Sequence, residues 1–151
     1  MKKFRGTLYF GKDMQALTGE FSLRLKPHGE LPDILLFGGK LSETLDFPAL
    51  FAIYPALSVE TRIFIDPGDT RVDGRFCSRR GKEEIVVLAQ TEVQAAGILL
   101  HEVQHWIQRE EQTLPLISRA WFAGRADEYI RLPGEAQARK AQESVVLVEE
   151  S

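Results

Sequence analysis

From Thr91 to about Gln112 the chain carries one unbroken helical pattern, the longest periodic stretch in its 151 residues. Ala96, Leu99, Leu100, Val103, Trp106 and Ile107 recur at helix spacing and fall on one arc of a helical wheel. Gln94, His101, His105, Gln108 and Gln112 fall on the other, with Ile98 the one apolar exception. Thr91 and Gln94 have the Thr-x-x-Gln spacing of a capping box, which marks the helix start. A helix of this length and one-sidedness has to lay its apolar arc on something, so the rest of the chain must supply a packing surface.

That surface is expected mainly from strands. Glycine and proline punctuate the first two thirds, as short strands and turns require. Phe4–Phe10 and Glu20–Lys26 alternate weakly and predict strands. Val59–Asp66 alternates clearly and then meets Pro67-Gly68, which predicts a strand and a turn. Gly74–Arg79 and Glu83–Leu88 flank Arg80-Gly81-Lys82 and predict a hairpin. Leu41–Asp46 and Pro48–Tyr54 predict short helices, the second with proline in its first turn. After Pro115, short helices are expected at Leu116–Phe122 and Arg125–Arg131, and a last helix from Pro133-Gly134 to about Ser144. The reading is α+β, in one domain over residues 1–151: a small antiparallel or mixed sheet, then the long helix, then C-terminal helices.

Composition narrows the partners. A net charge of −3 lacks the basic surplus of a nucleic-acid binder. No apolar run approaches the roughly 20 residues needed to span a bilayer, so no membrane partner is expected. The basic start Met1-Lys2-Lys3 has no apolar stretch behind it, which argues against a secretory signal and for a cytoplasmic setting. One cysteine, Cys77, excludes an internal disulfide and suits a reducing compartment; it sits in an expected strand with no histidine near it in sequence. His28, in Pro27-His28-Gly29, is expected in a surface turn.

Within the long helix lies His101-Glu102-Val103-Gln104-His105, an HExxH motif. Two imidazoles at i and i+4 share a helix face, so both can reach one metal ion. Glu102 lies about 100° further round, where it can take a proton from a metal-bound water without being a ligand. The competing reading is a pair of surface histidines on a solvated face. A catalytic zinc takes three protein ligands and keeps one position for water. No cysteine or third histidine follows the motif, so the third ligand is expected to be a carboxylate: Glu110, Glu111, Asp127, Glu128, Glu135 or Glu143. Glu110 and Glu111 share the rigid helix and are poorly placed to swing back over His101. Glu135 opens a new helix after Pro133-Gly134, where packing can aim it; an acid there also complements the helix dipole.

Three blocks carry a family resemblance: Leu41-Ser-Glu-Thr-Leu-Asp-Phe-Pro-Ala-Leu-Phe-Ala-Ile-Tyr-Pro55, Leu99-Leu-His-Glu-Val-Gln-His-Trp-Ile-Gln108 and Tyr129-Ile-Arg-Leu-Pro-Gly-Glu-Ala-Gln-Ala-Arg139. In this order they resemble the small HExxH domains of phage and mobile-element large polyvalent proteins. The resemblance implies a compact zincin-like (minimal gluzincin) metallopeptidase fold with Zn2+ as cofactor. It implies His101, His105 and Glu135 as metal ligands and Glu102 as the catalytic carboxylate. The chain departs from that family at Arg109–Leu114, where a Glu-Gly-Phe-like segment and paired glycines are usual, so substrate choice does not carry over. Residues 1–40 match nothing in it and stand as an N-terminal addition.

The remaining candidates follow from these. Tyr129 can donate to a developing oxyanion or simply pack on its ring edge. Arg139, one turn past Glu135, can steady that carboxylate or form an exposed i,i+4 ion pair. Glu83–Leu88 precedes the motif helix and is either the rim strand of a cleft, to which a peptide can add, or a plain core strand. The function expected is zinc-dependent hydrolysis of a peptide bond in a peptide or protein substrate, a host protein among them, in the cytoplasm of a bacterium carrying a phage or prophage. The alternative is a catalytically silent protein of zincin shape that binds and inhibits a host protein. A structural zinc site would call for a closed fourth ligand, usually from cysteine.

Overall fold

The computed structural model describes residues 2–25, 27–31, 34–68, 71–79, 81–111 and 132–150. Their architecture is α+β: two small sheets and four helices. The first two strands, β1 (Lys2–Phe10) and β2 (Gln15–Leu23), form a hairpin. Its four-residue turn is possible because Gly11 takes φ 76° and Met14 φ 51°. Strands β3 (Pro27–Leu31) and β4 (Ile34–Lys40) pair next. Then come α1 (Leu41–Thr44), β5 (Leu45–Asp46), α2 (Pro48–Ile53) and β6 (Glu60–Ile65). The hairpin β7 (Asp73–Arg79) and β8 (Lys82–Ala89) leads into the long helix α3 (Glu92–Glu111). Finally, α4 (Pro133–Glu143) is followed by β9 (Val146–Glu150).

One sheet has the order β5-β2-β1-β9 and the other β3-β4-β6-β8-β7. All pairs are antiparallel except β6 with β8, which run parallel from Glu60↔Glu84 to Ile65↔Ala89. Strand alternation decides what faces the core. Thr61, Ile63 and Ile65 point inward from β6, and Ile85, Val87 and Ala89 from β8. On the first sheet Phe4 of β1 and Phe21 of β2 stack in series with Phe47, which caps α2, with ring centroids 5.5 and 5.2 Å apart.

Several expectations shift here. There are two sheets, not one. Leu41–Asp46 is not a helix throughout: after one turn, Leu45 and Asp46 pair with Leu23 and Ser22 of β2. A backbone ladder to a distant strand overrides local propensity there. Pro27-His28-Gly29 belongs to strand β3 rather than to a turn, and the β3–β4 register slips between Pro27 and Gly29, as at a bulge. Proline is tolerated because β3 lies at a sheet edge. Strands β4 and β9 have no counterpart in the sequence pattern. Glu83–Leu88 is not a rim strand: β8 lies inside its sheet, between β6 and β7, and β7 is the edge among the described residues. The segments expected as helices at Leu116–Phe122 and Arg125–Arg131 lie outside the described residues.

Helix α3 is the axis on which both sheets rest, and glycines mark the contacts. A Cβ on Gly6 of β1 would come within 2.5 Å of Leu100 Cδ1. One on Gly74 of β7 would come within 2.4 Å of Ile98 Cγ2 and 3.3 Å of Glu102 Cγ. On the helix itself, a Cβ on Gly97 would lie 3.2 Å from the Gln142 carbonyl oxygen of α4. Strands and helix thus meet at van der Waals distance where a side chain is missing. Strand β1 takes part directly: it seats on α3, and Thr7 N donates to Ser144 Oγ at the end of α4 (2.8 Å). Among the described residues no helix is long and apolar enough to cross a membrane.

Gly6→Val overfills the β1–α3 contact. It should lower the unfolding free energy by about 1–3 kcal/mol, the usual cost of overpacking, as measured by urea denaturation. An unchanged midpoint would mean that β1 is not seated on the helix as described.

Candidate metal centre

The start of α3 is capped as its sequence suggests. Thr91 Oγ1 accepts from Gln94 N (3.2 Å), and Gln94 Oε1 accepts from Gln90 N (2.8 Å). The reciprocal bond thus reaches one residue further back than in the usual box. Ten residues on come His101 and His105, one helical turn apart, with ring centroids 5.0 Å apart at 68°. Their face is not solvated: His101 is 6% exposed and Glu102 2%. Helix α4 covers them, so α3 is buried on its polar arc as well as on its apolar one.

The covering helix brings a carboxylate. Pro133 opens α4 at its first position, which places Glu135 in the first turn. Glu135 is 3% exposed, and its two oxygens divide between the two rings. Oε1 lies 3.1 Å from His101 Nε2, and Oε2 lies 3.1 Å from His105 Nε2. Arg139, one turn on and half exposed, places Nε 3.4 Å from Glu135 Oε1. The remaining ring nitrogens face amides: His101 Nδ1 is 2.8 Å from Gln142 Oε1, and His105 Nδ1 is 2.9 Å from Gln108 Oε1. Glu102 borders the same space, since its ligating atom and those of His101 and His105 lie within 4.8 Å of one another.

Charges respond to this packing. Burial alone would raise the Glu135 carboxyl, but the facing imidazoles, His101 and then His105, outweigh it and hold it well below the ordinary carboxylate range. Burial would likewise lower His105; Glu135, Glu102 and Gln108 outweigh it and the ring is raised above its ordinary value.

The group can hold a metal ion. His101 Nε2 and Glu135 Oε1 are both buried and 3.1 Å apart, and neither has a hydrogen-bond partner. Orphaned buried donors and acceptors are costly, and a cation between them would satisfy both. Two ligand atoms on one tetrahedral ion, at 2.0–2.2 Å each, stand roughly 3.3–3.5 Å apart, close to the spacing here. Two imidazole nitrogens and one carboxylate also form the donor set of a site with an open position.

The other carboxylates are placed elsewhere. Glu111 accepts from Gly11 N and Tyr54 Oη, both at 2.9 Å, which ties the end of α3 to the β1–β2 turn and to α2. Burial and that carboxylate push the Tyr54 phenol up. Glu110 and Glu143 are exposed. Asp127, Glu128 and Tyr129 lie outside the described residues. Sequence reasoning missed Gln104, Gln137 and Gln142, which join Gln108 around the histidines. Glutamines flanking the histidine face were a partial sign, but which element would meet them is a tertiary matter. Comparison with protein-family models, curated proteins and solved structures finds no match.

Glu135→Ala should weaken binding of a Co2+ probe by more than about 100-fold, beyond the 10–100-fold usual for losing an outer-shell partner. Glu110→Ala and Glu143→Ala should leave it within about twofold of the parent, given their exposure. Titration followed by cobalt absorption checks this; parent-like affinity in Glu135→Ala would remove Glu135 from the metal set.

Proposed function

We propose that the chain is a zinc-dependent metallopeptidase of zincin type, in which His101, His105 and Glu135 hold the ion and Glu102 handles the proton. The observation that carries this reading is the convergence of both Nε2 atoms on the two oxygens of one buried carboxylate. Zinc bound there would supply a water of lowered pKa and polarise a scissile carbonyl.

The chain's own groups do the rest. Glu135 supplies the negative charge that a pair of histidine ligands cannot bring to a cation. Arg139 holds Oε1 of that carboxylate from the solvent side. Glu102 leaves the helix between the histidines and sits beside Gly74 of β7, where a Cβ would crowd its Cγ. From there its carboxylate accepts a proton from the attacking water and returns it to the leaving amine. Strand β7 is the free edge of its sheet among the described residues. An extended peptide pairing with that edge would run past Glu102, so a peptide or protein substrate fits the arrangement. Tyr129 remains the proposed donor to the oxyanion. The bacterial cytoplasm as setting, and a host protein as target of a phage-derived enzyme, belong to the same proposal and rest on the three sequence blocks that resemble the polyvalent-protein domains.

Glu102 is also what separates this reading from a silent binding protein, which needs no proton carrier between its metal ligands. Parent protein should hold about one zinc per chain by elemental analysis. Glu102→Gln should keep that zinc and the fold but lose hydrolysis by about 10²–10⁴-fold, visible as cleaved host proteins in parent-expressing cells that stay intact with the variant. An effect on the host that survives Glu102→Gln unchanged would favour the binding protein.

A further inference from the structure

The buried glutamines between α3, α4 and β1 form one chain of hydrogen bonds, and its direction is dictated at one end. Tyr9 of β1 is that end, because a backbone N–H only donates and a carbonyl only accepts. Gln104, fully buried, therefore turns Oε1 to Tyr9 N and Nε2 to Tyr9 O, both at 2.7 Å. Its Nε2 also donates to Gln137 at 3.1 Å, which obliges Gln137 to present Oε1. Gln137 Oε1 accepts as well from Gln108 Nε2 at 2.8 Å. Gln108 gives its other Nε2 hydrogen to the Gly134 carbonyl at 2.8 Å, again a group that only accepts. Both amide hydrogens of Gln108 are then in use, and Oε1 alone remains for His105 Nδ1 at 2.9 Å. An acceptor at that position requires a ring N–H, so a neutral His105 carries its proton on Nδ1 and its lone pair on Nε2. Nε2 is the atom that meets Glu135 Oε2 at 3.1 Å, a hydrogen-bond contact that a bound cation would replace.

We infer that Gln104, Gln137 and Gln108 are a directional relay, anchored on the β1 backbone at Tyr9, that holds His105 in the Nδ1–H tautomer and keeps its Nε2 lone pair turned to the metal position. The inference deepens the metal-site reading and rests on it. The relay works against a local competitor: the Glu135 carboxylate, taken alone, would draw the ring proton to Nε2. All three glutamines are positioning residues, since each acts through His105. Gln104 has a particular place, inside the HExxH motif but turned away from the ion. Through it the N-terminal hairpin, which lies outside the family resemblance, is wired to the metal centre. His101 is held separately, by Gln142.

The test reads ring nitrogens as well as affinity. 15N-histidine spectra of zinc-loaded protein should show His105 coordinated through Nε2, with a slowly exchanging Nδ1–H. Gln108→Leu and Gln137→Met should lower zinc affinity about 10–100-fold, the range for losing an outer-shell partner, and speed exchange of that proton. Gln137→Glu, which keeps an acceptor at the same place, should retain the slow Nδ1–H. Coordination through Nδ1 in the parent would overturn the inference. So would parent-like affinity and exchange in folded Gln108→Leu and Gln137→Met. If the parent takes up no zinc, the metal reading fails separately, and the relay is judged on the metal-free neutral ring: a proton on Nδ1 upholds it, a proton on Nε2 overturns it. The parent spectra decide even if a variant does not fold.

Discussion

A carboxylate sealed from water at 3% exposure must be met by positive charge or by donors, and meeting Glu135 shapes the centre of this molecule. Two imidazoles face its oxygens at 3.1 Å, and Arg139 approaches from the half-exposed side. To hold that arrangement, α4 has to lie against the polar face of α3 closely enough for short contacts. Gly97 permits the approach, since a side chain there would press on the backbone of Gln142. The same closeness lets Gln142 reach His101.

Once both arcs of α3 are buried, the helix needs partners all round, and the two sheets supply them. The β1–β2 sheet closes one side at Gly6 and through the bonds between Tyr9 and Gln104. The other sheet closes at Gly74, beside Glu102. Near the far end of α3, Trp106 donates to Glu83 of β8 at 2.9 Å and meets Tyr54 edge-on at 5.7 Å. Arg109 pairs with the same glutamate and lies over Phe76 of β7 at 5.1 Å. Polar contacts thus pin the helix at several heights, while apolar packing fills between them. A polar network of this kind specifies one arrangement, because a shift of either helix would orphan several buried groups at once.

Much of this was legible beforehand where the cause is local. The capping box at Thr91, the helix from Glu92 and the second helix opening at Pro133 were read from neighbouring residues and recur in the structure. So was the β7–β8 hairpin, whose turn uses Gly81 at φ 77°. Leu45–Asp46 escaped because their partners lie in β2, more than 20 residues back. Strand β9 escaped for the same reason: Val146–Glu150 becomes a strand by pairing with β1 at the opposite end of the chain.

The sequence by itself determined the spacing of chemistry along one helix. His101 and His105 share a face, and Glu102 stands between them, because 3.6 residues per turn leave no other choice. It also placed Glu135 in a helical first turn, through Pro133. Only the tertiary structure decided which carboxylate meets the histidines, since Glu110, Glu111, Glu135 and Glu143 are equivalent as residue types and differ in what they pack against. It alone decided that β7, not β8, forms the sheet edge beside Glu102 among the described residues, and that Gln142 and Gln108 meet the two rings. Amide orientation depends on donors and acceptors brought from three separate elements, and no local pattern in the chain records where those elements will meet.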